Sequence, residues 1–363
     1  MSNSLNVRAM YFSGTGTTEK ITVRIADELC RHMRKDDEAR EASSVDREGL
    51  GLDHRVDICP GVDICPGVDI CPAERCGDID FTPPSAREKR CSFGSDDVVV
   101  FGVPTIAGRV PNVLLPFLET LEGGGAMAVP VVLYGNRNFD DSLIELRNIL
   151  ESRGFRTVAA AAFIGEHSFS RLLAAGRPDE EDMEDADRFA DYVADKIGSI
   201  MTAVHKIGDT FDRIDHYTDK AGDSSGSTGR LFGKSGLLED MSGQSVREGL
   251  LARMCPVPVE GQDPLRPYYR PRDRKGNFID ILKVKPKLDE DKCTGCGICV
   301  EACPMGSIKP DAPGIVDGIC IKCCGCEKKC PEGALYFDDP GYIYHKEELE
   351  AQYTERKEPA FFL

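Results

Sequence analysis

Thiols are the most informative reactive groups in this chain, and their spacing carries the first chemical signal. Of sixteen cysteines, eight fall into two copies of one pattern. The first is Cys293-x2-Cys296-x2-Cys299-x3-Cys303-Pro304 and the second is Cys320-x2-Cys323-x2-Cys326-x3-Cys330-Pro331. Two-residue gaps in a tight, Gly-containing turn aim three thiolates at one centre, while the fourth, one helical turn on, reaches a neighbouring centre. That spacing suits two 4Fe–4S clusters. One takes Cys293, Cys296, Cys299 and Cys330; the other takes Cys320, Cys323, Cys326 and Cys303. Structural zinc also uses thiolates, but usually as two separated pairs rather than a tight triple with a crossing fourth. Cys324 reads as a packing thiol beside the second centre.

A second chemical signal lies near the start. Ser13-Gly14-Thr15-Gly16-Thr17-Thr18 leaves an apolar run (residues 6–12) and opens an amphipathic segment (19–33). A loop between a strand and a helix binds anions through free backbone N–H groups and the helix dipole. Four hydroxyls, two glycines and no cationic side chain suit one monophosphate. The dinucleotide fingerprint fails, because Glu19 stands at its third glycine, and the loop has no Walker Gly-Lys-Ser/Thr. Gly233-Lys234-Ser235 imitates a Walker ending, but Thr228 replaces the required glycine and no apolar strand precedes it.

Elements must hold these groups in place. The runs at 96–104, 126–135 and 157–165 are continuous and apolar, as in strands buried on both faces of a parallel sheet. Helical patterns follow at 112–121, 140–153 and 181–200, so strands alternate with helices in the manner of a doubly wound α/β domain. The second strand is expected within 55–81, with VDI or Asp78–Phe81 as candidates. VDICPG repeats in tandem across 56–73, where it reads as an expanded surface loop. From 201 to 285 the periodicity fades into Gly/Ser-rich and Pro/Arg-rich sequence, which reads as linker or irregular cover.

With these residues in view, the phosphate loop resembles that of the flavodoxins, whose FMN loop has a Ser/Thr-Gly-Thr-Gly-x-Thr form. The whole chain resembles fusion proteins with an N-terminal flavodoxin-like domain and a C-terminal two-cluster ferredoxin. The matching segments include YFSGTGTTEK, GVPTIAGRVPN, YGNRNFDD, AAFIGEHSFS and the ending YTERKEPAFFL. The resemblance implies an α/β fold: a flavodoxin-like doubly wound five-stranded parallel sheet of order 2-1-3-4-5, plus a small α+β two-cluster ferredoxin domain. It implies FMN held by Ser13, Gly14, Thr15, Gly16, Thr17 and Thr18 at its phosphate. Pro104, Thr105 and Gly108 after the third strand, with Tyr134, Gly135, Asn136, Arg137 and Phe139 after the fourth, would flank its ring. Ile106 stands where an aromatic is common, and Glu166 and His167 fall near the cofactor rim. The expected domains are 1–200 (FMN-binding, with the 56–73 loop), 201–285 (linker or cover), 286–340 (two-cluster ferredoxin) and 341–363 (C-terminal tail).

Composition narrows the function. With 45 Lys plus Arg against 62 Asp plus Glu, the net charge is −17. Such a chain is repelled by phosphate backbones and anionic lipid surfaces, which argues against nucleic acid as a partner. No run of about 18 apolar residues suggests membrane insertion, and no basic stretch leading into an apolar one suggests export. A cytoplasmic protein with reduced thiols is expected. No nucleophilic triad or acid–base pair stands out. The expected function is electron transfer between FMN and two 4Fe–4S clusters, with redox proteins as partners. The alternative is an iron–sulfur flavoprotein reductase acting on a quinone, nitro compound or similar small substrate. A segment 201–285 folded over the FMN would favour the alternative.

Overall fold

In a computed structural model, the structure describes residues 4–34, 73–221, 249 and 251–363. The repeat at 56–72, with its VDI strand candidates and Cys59, Cys65 and Cys71, lies outside the described residues. In chain order the first half contains β1 (Leu5–Tyr11), α1 (Thr17–Met33), β2 (Ala73–Arg75), β3 (Ile79–Asp80), β4 (Asp97–Pro104) and α2 (Leu115–Leu118). It continues through β5 (Met127–Tyr134), α3 (Ser142–Ser152), β6 (Arg156–Thr157), β7 (Ala160–Ile164) and α4 (Glu180–Ala221). The C-terminal part holds β8 (Lys287–Leu288), α5 (Ile298–Glu301), β9 (Ile308–Lys309), β10 (Ala312–Val316) and α6 (Gly325–Lys328). It ends with β11 (Leu335–Tyr336), α7 (Pro340–Gln352) and β12 (Ala360–Phe362).

The main sheet has the order β2-β1-β4-β5-β7, all parallel, with β12 added antiparallel on the β7 edge. Counting the parallel strands gives 2-1-3-4-5, the flavodoxin-like order. β4 and β5 are buried almost throughout, as β-branched runs covered on both faces must be. One face carries α1 and α4, packing Ile21, Ile25, Leu29 and Phe189 on the sheet. The other carries Leu114, Leu118, Leu143 and Leu150 from the α2 and α3 region. The five parallel strands of the expected sheet are present.

Three details differ from the sequence reading. The second strand is split: β2 pairs with the start of β1, and β3, within the Asp78–Phe81 candidate, pairs with its end. The helix expected over 181–200 runs on to Ala221. The segment read as a tail contains a helix and a strand, and this strand adds an antiparallel edge to the sheet, which with the short β3 and β6 has eight strands. Among the described residues, no helix is long and apolar enough to cross a membrane.

The cysteine-rich part is built from two antiparallel ribbons, β8–β11 and β9–β10, with one-turn helices α5 and α6 between them. Its buried apolar core is Cys299, Ile308, Cys326 and Leu335. So small a core, half of it thiol, supplies little burial energy. The order of this part must lean on what the cysteines bind.

Candidate functional site

The two cysteine runs fold into equivalent halves. The fourth thiol of each accepts a backbone N–H from four residues on: Ser307 to Cys303 at 3.4 Å and Ala334 to Cys330 at 3.3 Å. Cys293, Cys296, Cys299 and Cys330 line one cavity; Cys303, Cys320, Cys323 and Cys326 line another. The fourth cysteine of each run thus lies with the other run's triple. Among the described residues no group of three His, Cys, Asp or Glu side chains has the arrangement of a single-ion site. Burial pushes the thiols of Cys299, Cys323 and Cys326 up, that of Cys323 to about 11. Becoming thiolates there requires a cationic centre, and an all-thiol set of four fits an iron–sulfur cube. Cys324 is buried, 3.4 Å from the Tyr342 hydroxyl, and lines the second cage as a wall residue beside the triple.

The Ser13–Thr18 loop opens α1. Gly16 takes φ 95°, a left-handed conformation that suits glycine, and no side chain caps the helix. Ser13 Oγ accepts from Glu19 N–H at 3.1 Å, and Ser13 N–H donates to Thr82 Oγ1 at 2.7 Å. Among the described residues the N–H groups of Gly14 to Thr18 have no protein acceptor. Five free amides at a helix start form an anion cradle, so the loop fits a phosphate. The loop also touches the second cysteine cage. A Cβ on Gly14 would lie 3.0 Å from Cys323 Cβ, and one on Gly325 would lie 2.6 Å from the Gly14 carbonyl oxygen.

Beyond the loops after β4 and β5 opens a cavity of about 580 Å³, within the range of small-molecule sites. Of the residues expected at the FMN ring, Thr105, Gly108, Tyr134, Gly135 and Arg137 line it, as does Ile106. Pro104, Asn136 and Phe139 do not. Phe139 packs beneath Tyr134 with ring centres 5.6 Å apart, and Asn136 Nδ2 donates to the carbonyls of Tyr353 and Glu355 at 2.7 and 2.8 Å. The Ser13–Thr18 loop does not line this cavity either. Thr105 Oγ1 is engaged with Ser142 Oγ at 2.7 Å. Arg137 pairs with Asp140, and its guanidinium lies 4.6 Å from the centre of the Tyr269 ring.

Residues 268–271 and 279–282, within the segment read as linker or irregular cover, line the opposite wall of the cavity. Tyr269 N–H donates to Ala107 O at 2.8 Å, and Tyr268 Oη donates to Val110 O at 2.8 Å. Arg266 is ion-paired with the fully buried Asp141 and holds that carboxyl down to about 2. Phe169 and His345 complete the wall. Tyr-Tyr between arginines and prolines was the available signal, but nothing local says which loop it meets. The cavity also shares Ile319, Cys320, Ile321 and Lys322 with the second cysteine cage, and shares no residue with the first.

Glu166 and His167 follow β7. His167 lines the cavity, whereas Glu166 pairs with Lys328 of α6, whose Nζ also donates to the carbonyls of His167 (2.7 Å) and Ser170 (2.9 Å).

Comparison with known proteins gives two kinds of match. Residues 286–309 match the family model of the 4Fe-4S binding domain. A 31-residue stretch, 8% of this chain, is 55% identical to an iron-sulfur subunit of the CoB–CoM heterodisulfide reductase of Methanopyrus kandleri, and spans 5% of that protein's length. Solved structures similar to the chain include a flavodoxin of Streptococcus pneumonia TIGR4 (17% identity, 53% of this chain and 99% of that one, TM-score 0.28). They also include a flavodoxin from the domain Archaea (11%, 53% and 99%, TM-score 0.29) and an apo NADH:FMN oxidoreductase (14%, 53% and 89%, TM-score 0.32). The strand order of the sheet itself assigns the flavodoxin-like fold.

Proposed function

We propose that this chain, a flavodoxin-like α/β domain joined to a 4Fe–4S binding domain, is an iron–sulfur flavoprotein that moves electrons between FMN and two 4Fe–4S clusters. One observation carries the reading: the cavity edged by the loops after β4 and β5 has Ile319–Lys322 in common with the second cysteine cage. An FMN ring in that cavity, with its phosphate on the free amides of Gly14–Thr18, would lie next to the cluster of Cys303, Cys320, Cys323 and Cys326. FMN accepts or gives electrons in ones or twos and each cluster in ones, so the pair converts between the two regimes. The cage of Cys293, Cys296, Cys299 and Cys330 has no wall in common with the cavity, and its Cys296 is exposed. This supports a path from FMN through the second cage to the first, with a redox protein partner meeting the chain near Cys296. The chain's own residues exclude water and fix the spacing; Lys328, reaching from α6 to Glu166 and Ser170, ties the cages to the cavity.

A second reading is reduction of a small acceptor in the cavity, and one observation favours it: residues 268–282 roof the space instead of trailing as a tether. Anaerobic purification with assays of iron, acid-labile sulfide and flavin tests the main proposal. About eight irons, eight sulfides and one FMN per chain are expected from two cubanes and one flavin. Full iron with no FMN uptake on titration sinks the flavin half, and about four irons per chain sinks the two-cluster path.

A further inference from the structure

The rim of the cavity carries a charge pattern opposite in sign to the chain as a whole. Residues 266–287 line one wall of the cavity and run on to the second cysteine cage at Pro286. They hold eight Lys or Arg against two Asp, on a chain whose net charge is −17. Three of these cations are paired within the chain: Arg266 with Asp141, Arg274 with Glu348 and Lys287 with Asp338. Lys285 Nζ donates to the Val316 carbonyl at 2.7 Å. Arg270, Arg272, Lys275 and Lys283 have no carboxylate partner among the described residues. The two acids of the segment are engaged locally. Asp273 accepts from the N–H groups of Lys275 and Asn277, both at 2.8 Å, and Asp280 from Leu282 N–H at 3.0 Å. Asp317, which shares a surface hollow with Ile319, pairs with Lys309 at 3.1 Å.

Apolar side chains stand in water among these cations. Leu282 is 78% exposed and Ile319 59%, and both line the cavity, so they sit at its rim. Phe278 is 49% exposed, with the guanidiniums of Arg272 and Arg270 3.8 and 4.1 Å from its ring centre. Single exposed apolar residues need no explanation. Leucine, isoleucine and an arginine-stacked phenyl on one rim have the composition of a protein interface, where aromatic residues and Arg are enriched. Ile319 and Cys320 also line the second cage. Lys322 fastens the cover to that cage, its Nζ donating to the carbonyls of Leu282 at 3.1 Å and Cys320 at 2.9 Å. A partner seated here therefore meets the cavity and the second cage together.

We propose that this rim is the docking surface for an acidic one-electron carrier protein. Its carboxylates meet Arg270, Arg272 and Lys283, while Leu282, Ile319 and Phe278 supply the apolar contact. The inference rests on the FMN-and-cluster reading of the cavity. It adds a second partner at the FMN end of the path, apart from the Cys296 end. Charge selects the partner: a basic protein is attracted by the chain as a whole but repelled here, and an acidic one is steered to this rim alone. An anionic membrane would meet the same cations, but the net charge of −17 repels such a surface and a bilayer brings no electron. In the complex one electron leaves the partner's reduced centre and enters the cluster of Cys303, Cys320, Cys323 and Cys326. The partner is oxidised by one electron and the cluster reduced by one, with no bond made and no proton moved.

The test uses the full chain, loaded with clusters and FMN under argon, with iron and flavin assayed on every sample. The probe is an oxidised plant-type 2Fe–2S ferredoxin, a strongly acidic carrier, titrated by calorimetry. Salt is raised from about 0.01 M to about 0.15 M, over which the screening length falls from about 30 to about 8 Å. The expected result is one ferredoxin per chain, with affinity falling about tenfold across that range. Arg272→Glu with Lys283→Glu should weaken binding about tenfold at low salt and flatten the salt dependence. Leu282→Ser, at a position the fold leaves exposed, should weaken it about tenfold with the salt dependence kept. Binding of cytochrome c, a basic carrier, should not weaken in the charge-reversed variant. No ferredoxin binding at low salt, or affinity unchanged in both variants, overturns the proposal. So does saturable wild-type binding to phosphatidylserine vesicles, or a concentration-dependent dimer, that the charge-reversed variant loses, since either gives the rim another occupant. A wild-type chain that takes up no FMN or no second cluster would instead bring down the underlying reading, and this inference with it.

Discussion

Lys328→Met tests whether one side chain holds the cysteine cages against the cavity. Lys328 sits in α6 between Cys326 and Cys330, with its side chain 10% exposed. Its Nζ donates to a Glu166 carboxylate oxygen and to the carbonyls of His167 and Ser170, all three in the loop after β7. Methionine keeps the aliphatic stem and removes every one of those bonds. Removing one partner of a deeply buried pair costs about 3–5 kcal/mol. The Glu166 side chain is 25% exposed, so water recovers part of that loss. Two carbonyls nevertheless lose a charged donor, and about 2–4 kcal/mol is the expected destabilisation. Anaerobic urea unfolding reads it, with iron content confirming that the clusters are intact. A cycle with Glu166→Gln should return a coupling of about 1–2 kcal/mol. The pH dependence has a definite sign. Burial alone would raise the Glu166 carboxyl, but the Lys328 hydrogen bond and the Gly176 N–H outweigh it and hold the group below its ordinary value. Its contribution is therefore complete above about pH 4.3, the unfolded carboxyl value, and fades as pH falls through the lower folded value. The gap between wild type and Lys328→Met should narrow over that acidic range. A loss under about 0.5 kcal/mol with full iron, within ordinary surface-substitution scatter, would refute the clamp.

Other changes address neighbouring joints. Arg177→Met strands Asp182, which is 0% exposed, and frees the Lys357 carbonyl that Arg177 holds at 2.7 Å; a loss of about 3–5 kcal/mol in chemical unfolding is expected. Gly135→Ala would place a Cβ 2.4 Å from His167 Cδ2 and 2.8 Å from its Cα, forcing two cavity walls apart. Overpacking of this kind costs about 1–3 kcal/mol, so FMN titration should show affinity reduced about tenfold or more. Arg266→Met removes the bond that, ahead of the opposing effect of burial, holds Asp141 down to about 2. A depressed carboxyl stabilises the fold above its unfolded pKa, so wild type should outlast this variant in acid unfolding near pH 5. That advantage should vanish as pH falls from about 4 to about 2.

How much of this was legible depended on how local each signal was. The buried strands β4 and β5 announced themselves, because a strand covered on both faces leaves no polar alternation. β2 did not. Its three residues, Ala73–Arg75, stay in the sheet through register with Leu5–Val7 rather than through any apolar run of their own. β12 hides for the same reason: three residues pair with Ala160–Ala162 across some two hundred positions of chain. In α4 the fading apolar periodicity concealed a continuation that the backbone carries to Ala221.

The site divides along the same line. Ligand spacing in a cubane is set within single turns, so cysteine spacing is a signal that can be read locally, and the structure groups Cys330 with the first triple and Cys303 with the second. A cavity wall has no such internal ruler. Tyr268 and Tyr269 are held by backbone and hydroxyl bonds to Ala107 and Val110 and by the Arg266–Asp141 pair. The cover is thus fastened by polar contacts to a distant loop and buries no stripe of its own, which is why Pro- and Arg-rich sequence there looks like linker. His345 illustrates the same gap from the helix side. Its helix has no pronounced apolar face, and its imidazole gains meaning only once Phe169, Tyr269 and the cavity surround it.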